Sequence, residues 1–364
     1  MRTGKLRNGA ILAATLIVAA PAGADDVSGD ACISENGITP ICGFESPEDI
    51  EVTPGGDALI VGGFNLDNAN GDIRVLDLGT NRIEVIFDPD AANYPPAPVP
   101  GWGDPACPGA PSGFAAHGIH LSANAMGSLT LLVVNHTSRE AIEVFEITER
   151  GAAMKAAWRG CVIVDPPLWV NDVAMLGDGA LVASHMMPRE TAHTMFDRPP
   201  DDDVETGYLV EWGAATGWTI IPNSEGALPN GVQVSPDGRT IFNNHYLGNQ
   251  VVAIDRESGE RLWTATMTAA PDNMSITADG QLLVAMHRVS LRAIRDECML
   301  RPLPWCGLGF AVAYIDPESG QVTPVIESGG PSFGGTTVAV ETGGSIYLGT
   351  FAGNRIGRIP APAR

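Results

Sequence analysis

One hairpin recurs six times along this chain, and most copies open on residues rich in side-chain oxygen. The starts read Pro47-Glu48-Asp49-Ile50, His117-Gly118-Ile119, Asn171-Asp172-Val173, Asn230-Gly231-Val232, Asp272-Asn273-Met274 and Gly335-Thr336-Thr337. After each comes a β-like run, a turn and a second run: Ala58–Gly62, Leu129–Asn135, Ala180–Ser184, Thr240–Asn244, Leu282–Met286 and Ser345–Thr350. Such a unit cannot bury both faces alone, so repeated copies must stack radially. The predicted fold is all-β, a six-bladed β-propeller with four-stranded blades. Its first strands would carry ligands distant in sequence to a single axis.

Outer hairpins fill the gaps between the inner ones. Ile73–Leu78 with Arg82–Phe87, Ile142–Ile147, Tyr208–Trp212 with Thr219–Pro222, Val251–Asp255 with Arg261–Thr264, and Ala311–Asp316 with Val322–Ile326 alternate or run apolar like strands. The blades are expected across about residues 44–359, with a propeller domain of 44–364 and a separate N-terminal segment, 25–43. Three irregular segments interrupt the rhythm: Asn93–Gly113, Met186–Thr206 and Arg288–Gly309. If first strands descend from the top, all three become long loops over the top face, where the ligand-bearing starts also lie. Long loops gathered on one face of a rigid scaffold usually shape a binding site.

Compartment and charge narrow the function classes. Arg2, Lys5 and Arg7, an apolar stretch Ala10–Ala20 and the small residues Ala22-Gly23-Ala24 read as a signal peptide over 1–24, too short in its apolar part to span a bilayer. The mature chain is expected to be periplasmic or secreted. Its formal charge is -22, or -25 once the three basic signal residues are removed (18 basic against 43 acidic). That field repels nucleic acid and anionic membrane, so neither is expected as a partner. Six cysteines in an exported chain favour disulfides. Cys32/Cys42 and Cys298/Cys306 would close short loops and leave Cys107 with Cys161, one of 15 connectivities that counting allows.

The hairpin starts hold the donors a hard cation takes. Calcium binds six to eight oxygens from carboxylates, amides and carbonyls. Glu48, Asn171, Asn230, Asp272 and Asn273 supply two carboxylates and three amides, and no thiolate–imidazole cluster of the kind zinc prefers accompanies them. Any one Asn-Asp or Asn-Gly pair is most simply a turn cap. Four such starts at equivalent repeat positions suggest a metal centre.

Histidine follows the same repeat. Folding each hairpin about its turn sets His136 opposite His117, His185 opposite Asn171, His245 opposite Asn230 and His287 opposite Asp272, so four of seven histidines close a second strand at the metal's level. His120 and His193 read instead as ordinary hydrogen-bonded strand-end residues. His117 and His136, brought together by one hairpin, can act as base and orienting partner.

These segments resemble the calcium-dependent six-bladed propellers of the serum paraoxonase (arylesterase/lactonase) family and, more loosely, gluconolactonase and regucalcin. The matching runs are Glu48-Asp49-Ile50-Glu51, His117-Gly118-Ile119, Leu132-Val133-Val134-Asn135-His136, Asn171-Asp172-Val173, Asn230-Gly231 with Ser235-Pro236-Asp237-Gly238, Asp272-Asn273 and Gly335-Thr336-Thr337-Val338-Ala339-Val340. The resemblance implies two calcium ions. A catalytic one would be bound by Glu48, Asn171, Asn230, Asp272 and Asn273. A structural one would be bound by Asp49, Asp172 and the carbonyl of Ile119. It also implies His117 as general base, His136 as its partner, and His185 and His287 in the pocket. Three departures stand out. No cysteine follows Cys306, so no disulfide can join the two chain ends as in the serum enzymes. Ser184 stands where those enzymes place an acid, and the upper loops have no evident counterpart.

The expected function is a calcium-dependent hydrolase acting on a small-molecule lactone or ester. Two alternatives remain: a non-hydrolytic enzyme on the same scaffold, like strictosidine synthase, and a non-enzymatic, calcium-stabilised periplasmic propeller that binds a partner or small ligand. The first would not need the calcium ligands.

Overall fold

A computed structural model of the chain describes residues 32–364, apart from 65–70, 96, 124–127, 149–153, 166–167, 178, 193, 201–203, 300–305 and 331. The signal segment 1–24 and His193 therefore lie outside the described residues. The chain forms six four-stranded antiparallel sheets, the blades of a β-propeller. Blade 1 comprises Pro47–Val52, Ala58–Gly63, Ile73–Asp77 and Arg82–Phe87, and blade 2 comprises Ile119–Ala123, Leu129–Asn135, Ala141–Thr148 and Lys155–Ile163. Blade 3 holds Val170–Met175, Leu181–His185, Tyr208–Gly213 and Gly217–Ile220, and blade 4 holds Pro229–Val234, Thr240–His245, Gln250–Asp255 and Arg261–Thr266. Blade 5 runs Ala270–Ile276, Leu282–His287, Phe310–Ile315 and Val322–Ser328.

Blade 6 closes the ring. Its three inner strands, Thr336–Thr342, Ser345–Thr350 and Arg355–Pro360, come from the end of the chain, and its outermost strand, Thr39–Cys42, comes from the beginning. Thr39 pairs with Arg358 and Cys42 with Arg355, so part of the N-terminal segment belongs to the propeller. A strand borrowed from the other chain end removes an open edge and locks the ring. The outer strand Lys155–Ile163 is an addition to the strands expected from sequence, because its small residues, Ala156, Ala157 and Gly160, weaken the alternation that marks a strand.

The core lies between blades. Each of the six interfaces contains its own apolar cluster, such as Leu131, Phe145 and Trp158 with Ile60 and Phe114 between blades 1 and 2, or Leu283 and Phe310 with Leu348 between blades 5 and 6. First strands of neighbouring blades pack against one another all round the hub.

One irregularity recurs at the hub. The register between first and second strands slips at Pro47/Asp49, Val170/Val173, Pro229/Val232, Pro271/Met274 and Thr336/Ala339. Each slip spans the oxygen-bearing residues picked out in the sequence. A bulge inserts unpaired residues and re-aims their side chains, so the adjacent pair Asp272-Asn273 escapes the usual alternation of faces. The slip also changes the expected partnerships. His185 pairs with Val170 rather than Asn171, His245 with Pro229 and His287 with Ala270.

All three disulfides form as anticipated: Cys32–Cys42, Cys107–Cys161 and Cys298–Cys306. The second ties the loop between blades 1 and 2 to the outer strand of blade 2. Over the remaining top face, the loops after His185 and His287 carry short helices, Arg189–Ala192 and Leu291–Ile294. They share an apolar cluster of Met186, Met187, Met195, Tyr246, Leu291 and Leu308. Arg295 pairs with Asp197 across them, and Arg292 Nη2 donates to the Asp197 carbonyl at 3.0 Å.

Candidate active site at the propeller hub

The five proposed ligands meet at one end of the central axis, all buried: Glu48, Asn171, Asn230, Asp272 and Asn273. Asn273 Nδ2 donates to Glu48 Oε1 at 2.8 Å, and Glu48 Oε1 lies 4.0 Å from His117 Nε2. Asn171 Nδ2 sits 3.4 Å from the same His117 nitrogen. The Asn230 side chain hydrogen-bonds Asp272. Close approach of the blades is what brings them together. A Cβ on Gly118 would stand 2.5 Å from Asp172 Oδ1, and one on Gly231 would stand 2.6 Å from the Asp272 carbonyl oxygen, so neither position can carry a side chain.

Four acceptor oxygens in this group have no hydrogen-bond partner: Glu48 Oε2, Asn171 Oδ1, Asn230 Oδ1 and Asn273 Oδ1. Burying an unpartnered acceptor costs about 1–3 kcal/mol each, and four in one place call for a cation. The charges agree. Burial pushes the Glu48 carboxyl well above its usual range, and Asp49, Asp272 and Asp172 push it further. Burial lifts Asp272 to about 8, with Asp49 adding to it, and lifts Asp49 to about 7. Asp172 is raised by burial and by Asp49. No cluster of three or more His, Cys, Asp or Glu groups placed to hold a metal occurs among the described residues. The hub donors are instead two carboxylates mixed with three amides, an oxygen set that suits calcium rather than zinc.

Asp49 and Asp172 stitch blades together. Asp49 Oδ2 accepts the Ile119 N–H of the next blade at 2.7 Å, and Asp172 Oδ2 accepts the Val232 N–H at 2.8 Å. Their other oxygens accept from Ile50 and Val173. Each carboxylate oxygen has a further lone pair for a cation. Ser184, expected near the pocket histidine, is fully buried and accepts the Asp172 N–H at 3.1 Å.

The histidine pair forms. His117 Nδ1 and His136 Nε2 are 2.8 Å apart, and the His117 ring stacks on Phe64 with centroids 4.3 Å apart. Burial, and then His136, holds His117 well below the usual histidine range, so it is neutral at pH 7. His287 Nδ1 hydrogen-bonds the Tyr246 hydroxyl at 2.9 Å, while its Nε2 is 3.4 Å from Asp272 Oδ2. His185 Nδ1 accepts the Trp169 N–H at 3.0 Å. His245 is buried with Nε2 unpartnered, and burial lowers it to about 4.

Sequence reasoning missed four neighbours of these groups: Glu140, Trp169, Phe64 and Tyr246. His136 Nδ1 lies 2.9 Å from Glu140 Oε2 and 3.1 Å from Trp169 Nε1. The spacing of Glu140, four residues after His136 across a turn, was a signal available in the sequence. Trp169 lies in the connection from blade 2 to blade 3, while Phe64 and Tyr246 directly follow the second strands of blades 1 and 4.

A family model described as Arylesterase matches residues 108–355. This chain belongs to the arylesterase family. The matched range begins after blade 1, so Glu48 and Asp49 owe their place beside this arylesterase-family core to the geometry just described. Among solved structures, the arylesterase-family chain is similar to a putative gluconolactonase at TM-score 0.53 and 13% identity, covering 90% of this chain and 92% of that one. It is also similar to a luciferin-regenerating enzyme at TM-score 0.52 and 13% identity, covering 88% and 95%. At such identities the likeness concerns the fold. A search of curated proteins finds no significant match.

Proposed function

We propose that this protein is a calcium-dependent hydrolase of small-molecule lactones or carboxylic esters. Membership of the arylesterase family supports the reaction class. The observation that carries the reading is the set of four unpartnered acceptor oxygens from Glu48, Asn171, Asn230 and Asn273, buried beside a neutral His117. Together with Asp272, those residues would hold a catalytic calcium ion. Asp49, Asp172 and the Ile119 carbonyl would hold a second, structural one. The bound catalytic ion would supply Lewis-acid polarisation of a substrate carbonyl, a kind of electrostatic assistance worth several kcal/mol in other enzymes.

His117 would act as general base. Its Nε2 faces the hub donors, and its low proton affinity at rest keeps the lone pair available at neutral pH. A water held beside it would lose one proton to Nε2 as its oxygen attacks the carbonyl carbon, and that proton would then pass to the leaving alkoxide. His136 holds the ring from the other side through Nδ1. His185, His245 and His287 would line the pocket wall, with His287 and Tyr246 forming a polar pair near Asp272. The three disulfides, with no helix among the described residues long and apolar enough to cross a membrane, support a periplasmic or secreted location. The acidic surface argues against nucleic-acid and membrane partners.

The test is a panel of lactones, aryl esters and phosphotriesters, assayed first with calcium and then with chelator. Turnover of a lactone or ester that chelation abolishes, with the fold intact by circular dichroism, is the expected result. A calcium-replete protein that turns over no member would instead make it a calcium-stabilised binding propeller.

A further inference from the structure

The carboxylate of Glu140 is almost fully buried against the histidine pair, yet the reaction just described does not use it. It touches three groups. Oε1 accepts the Val170 N–H at 3.0 Å, both oxygens lie 2.9–3.0 Å from His136 Nδ1, and Oε2 is 3.7 Å from Arg189 Nη1. A carboxylate has no proton to give and can only accept hydrogen bonds.

We propose that Glu140 is a positioning residue that fixes the tautomers of His136 and His117 and so decides which nitrogen of His117 faces the hub without a proton. The inference rests on the role given to the histidine pair above. The logic follows donor and acceptor counts. Because Glu140 accepts, His136 Nδ1 carries its proton. A neutral imidazole has one donor and one acceptor, so His136 Nε2 is bare and accepts from His117 Nδ1–H at 2.8 Å. His117 Nε2 is then bare as well, and Asn171 Nδ2, a donor, faces it at 3.4 Å. Each contact along Glu140, His136, His117 and Asn171 is satisfied in this arrangement.

A competitor makes the assignment consequential. The indole N–H of Trp169 points at the same His136 Nδ1 from 3.1 Å, and indole can only donate. Two donors cannot bond each other, so Glu140 and Trp169 demand opposite tautomers of His136. A charged buried acceptor makes the stronger hydrogen bond, and Glu140 prevails. Without it, Trp169 would donate to a bare Nδ1, and His136 would donate from Nε2 to His117 Nδ1. His117 would then present Nε2–H to the hub and could not take a proton from water. The third group of a triad does this job in other hydrolases, orienting a base by choosing its tautomer.

The test reads the tautomers directly. Long-range proton–nitrogen correlation spectra of the calcium-loaded full chain, labelled at histidine nitrogen, are recorded for wild type, Glu140→Gln and Glu140→Asp. The wild type is expected to show His136 protonated at Nδ1 and His117 protonated at Nδ1. Glu140→Gln, whose amide can donate, should move both protons to Nε2 and lower kcat by about 10²-fold or more, since a wrong tautomer in a serine protease costs about 10⁴. KM should stay within about threefold. Glu140→Asp should restore the wild-type tautomers in part and some of the rate with them. A wild-type spectrum with His136 bare at Nδ1 overturns the proposal without any variant. So does Glu140→Gln with unchanged tautomers. The spectra are independent of turnover, so if no substrate is hydrolysed, the hydrolase reading falls while the tautomer assignment is still decided.

Discussion

Asn273 donates its side-chain amide to Glu48 across 225 residues of sequence, joining blade 5 to blade 1 at the hub. Thr337 Oγ1, on the blade between them, accompanies this link with a hydrogen bond to the Glu48 carbonyl oxygen at 2.5 Å. The donor oxygens are therefore fixed by ring closure itself, and a preformed site loses little freedom on binding an ion.

Calcium should stabilise the protein, more so at higher pH. Burial pushes Asp49 up to about 7 and Asp272 up to about 8 in the folded, metal-free chain, from the ordinary 3.8 of an exposed aspartate. The folded state thus holds protons that the unfolded state releases. Their contribution to stability is intact below about pH 4 and is lost as pH rises through 7 to 8. Urea unfolding in chelator at pH 6 and pH 8.5 should show that loss. Calcium a thousandfold above its Kd should add about 4 kcal/mol at the higher pH. Equal stability with and without calcium at pH 8.5 would contradict a metal site at the hub.

His117→Gln should separate catalysis from metal binding. With the base gone, kcat is expected to fall by about 10²–10⁴-fold. Calcium affinity by isothermal titration calorimetry should change little, because His117 is not among the oxygen donors. Full activity in the variant would remove His117 from the mechanism.

Asp172→Asn should weaken the joint between blades 3 and 4. Asparagine keeps one acceptor where aspartate used two, for Val232 and Val173. One buried N–H is left unpaired, at about 1–3 kcal/mol. The loss should be larger with saturating calcium than with chelator, since without the ion the substitution also relieves like-charge repulsion from Asp49. Urea curves with the same shift in both conditions would argue that no ion is held there.

Removing the Cys107–Cys161 bridge should cost about 4 kcal/mol on a chain-entropy estimate for a loop of this length, a sequence separation of 54. Thermal unfolding of Cys107→Ser with Cys161→Ser checks it. A melting point within a degree of wild type would mean that blade packing alone sets the position of the first upper loop.

The repeat made the fold and much of the site readable. The period of the hairpins announced six blades, and the oxygen-bearing starts identified Glu48, Asn171, Asn230, Asp272 and Asn273 because repetition brings equivalent positions to equivalent places in space. Pairing the histidines by simple reflection missed by one residue for His185 and His245 and by two for His287. Alternation along a strand does not reveal a bulge, which exists only once two strands are paired.

From sequence alone came the ring of hairpins, the acidic surface, the even cysteine count and the donor types at each strand start. Tertiary structure alone decided which oxygens are left unpartnered, that Thr39–Cys42 closes blade 6, and that Glu140 and Trp169 compete for one nitrogen of His136. The physical reason is range. Local pattern fixes a strand and the residue types it offers, but hydrogen-bond satisfaction and burial depend on groups from other blades. Those groups become neighbours only when the ring closes.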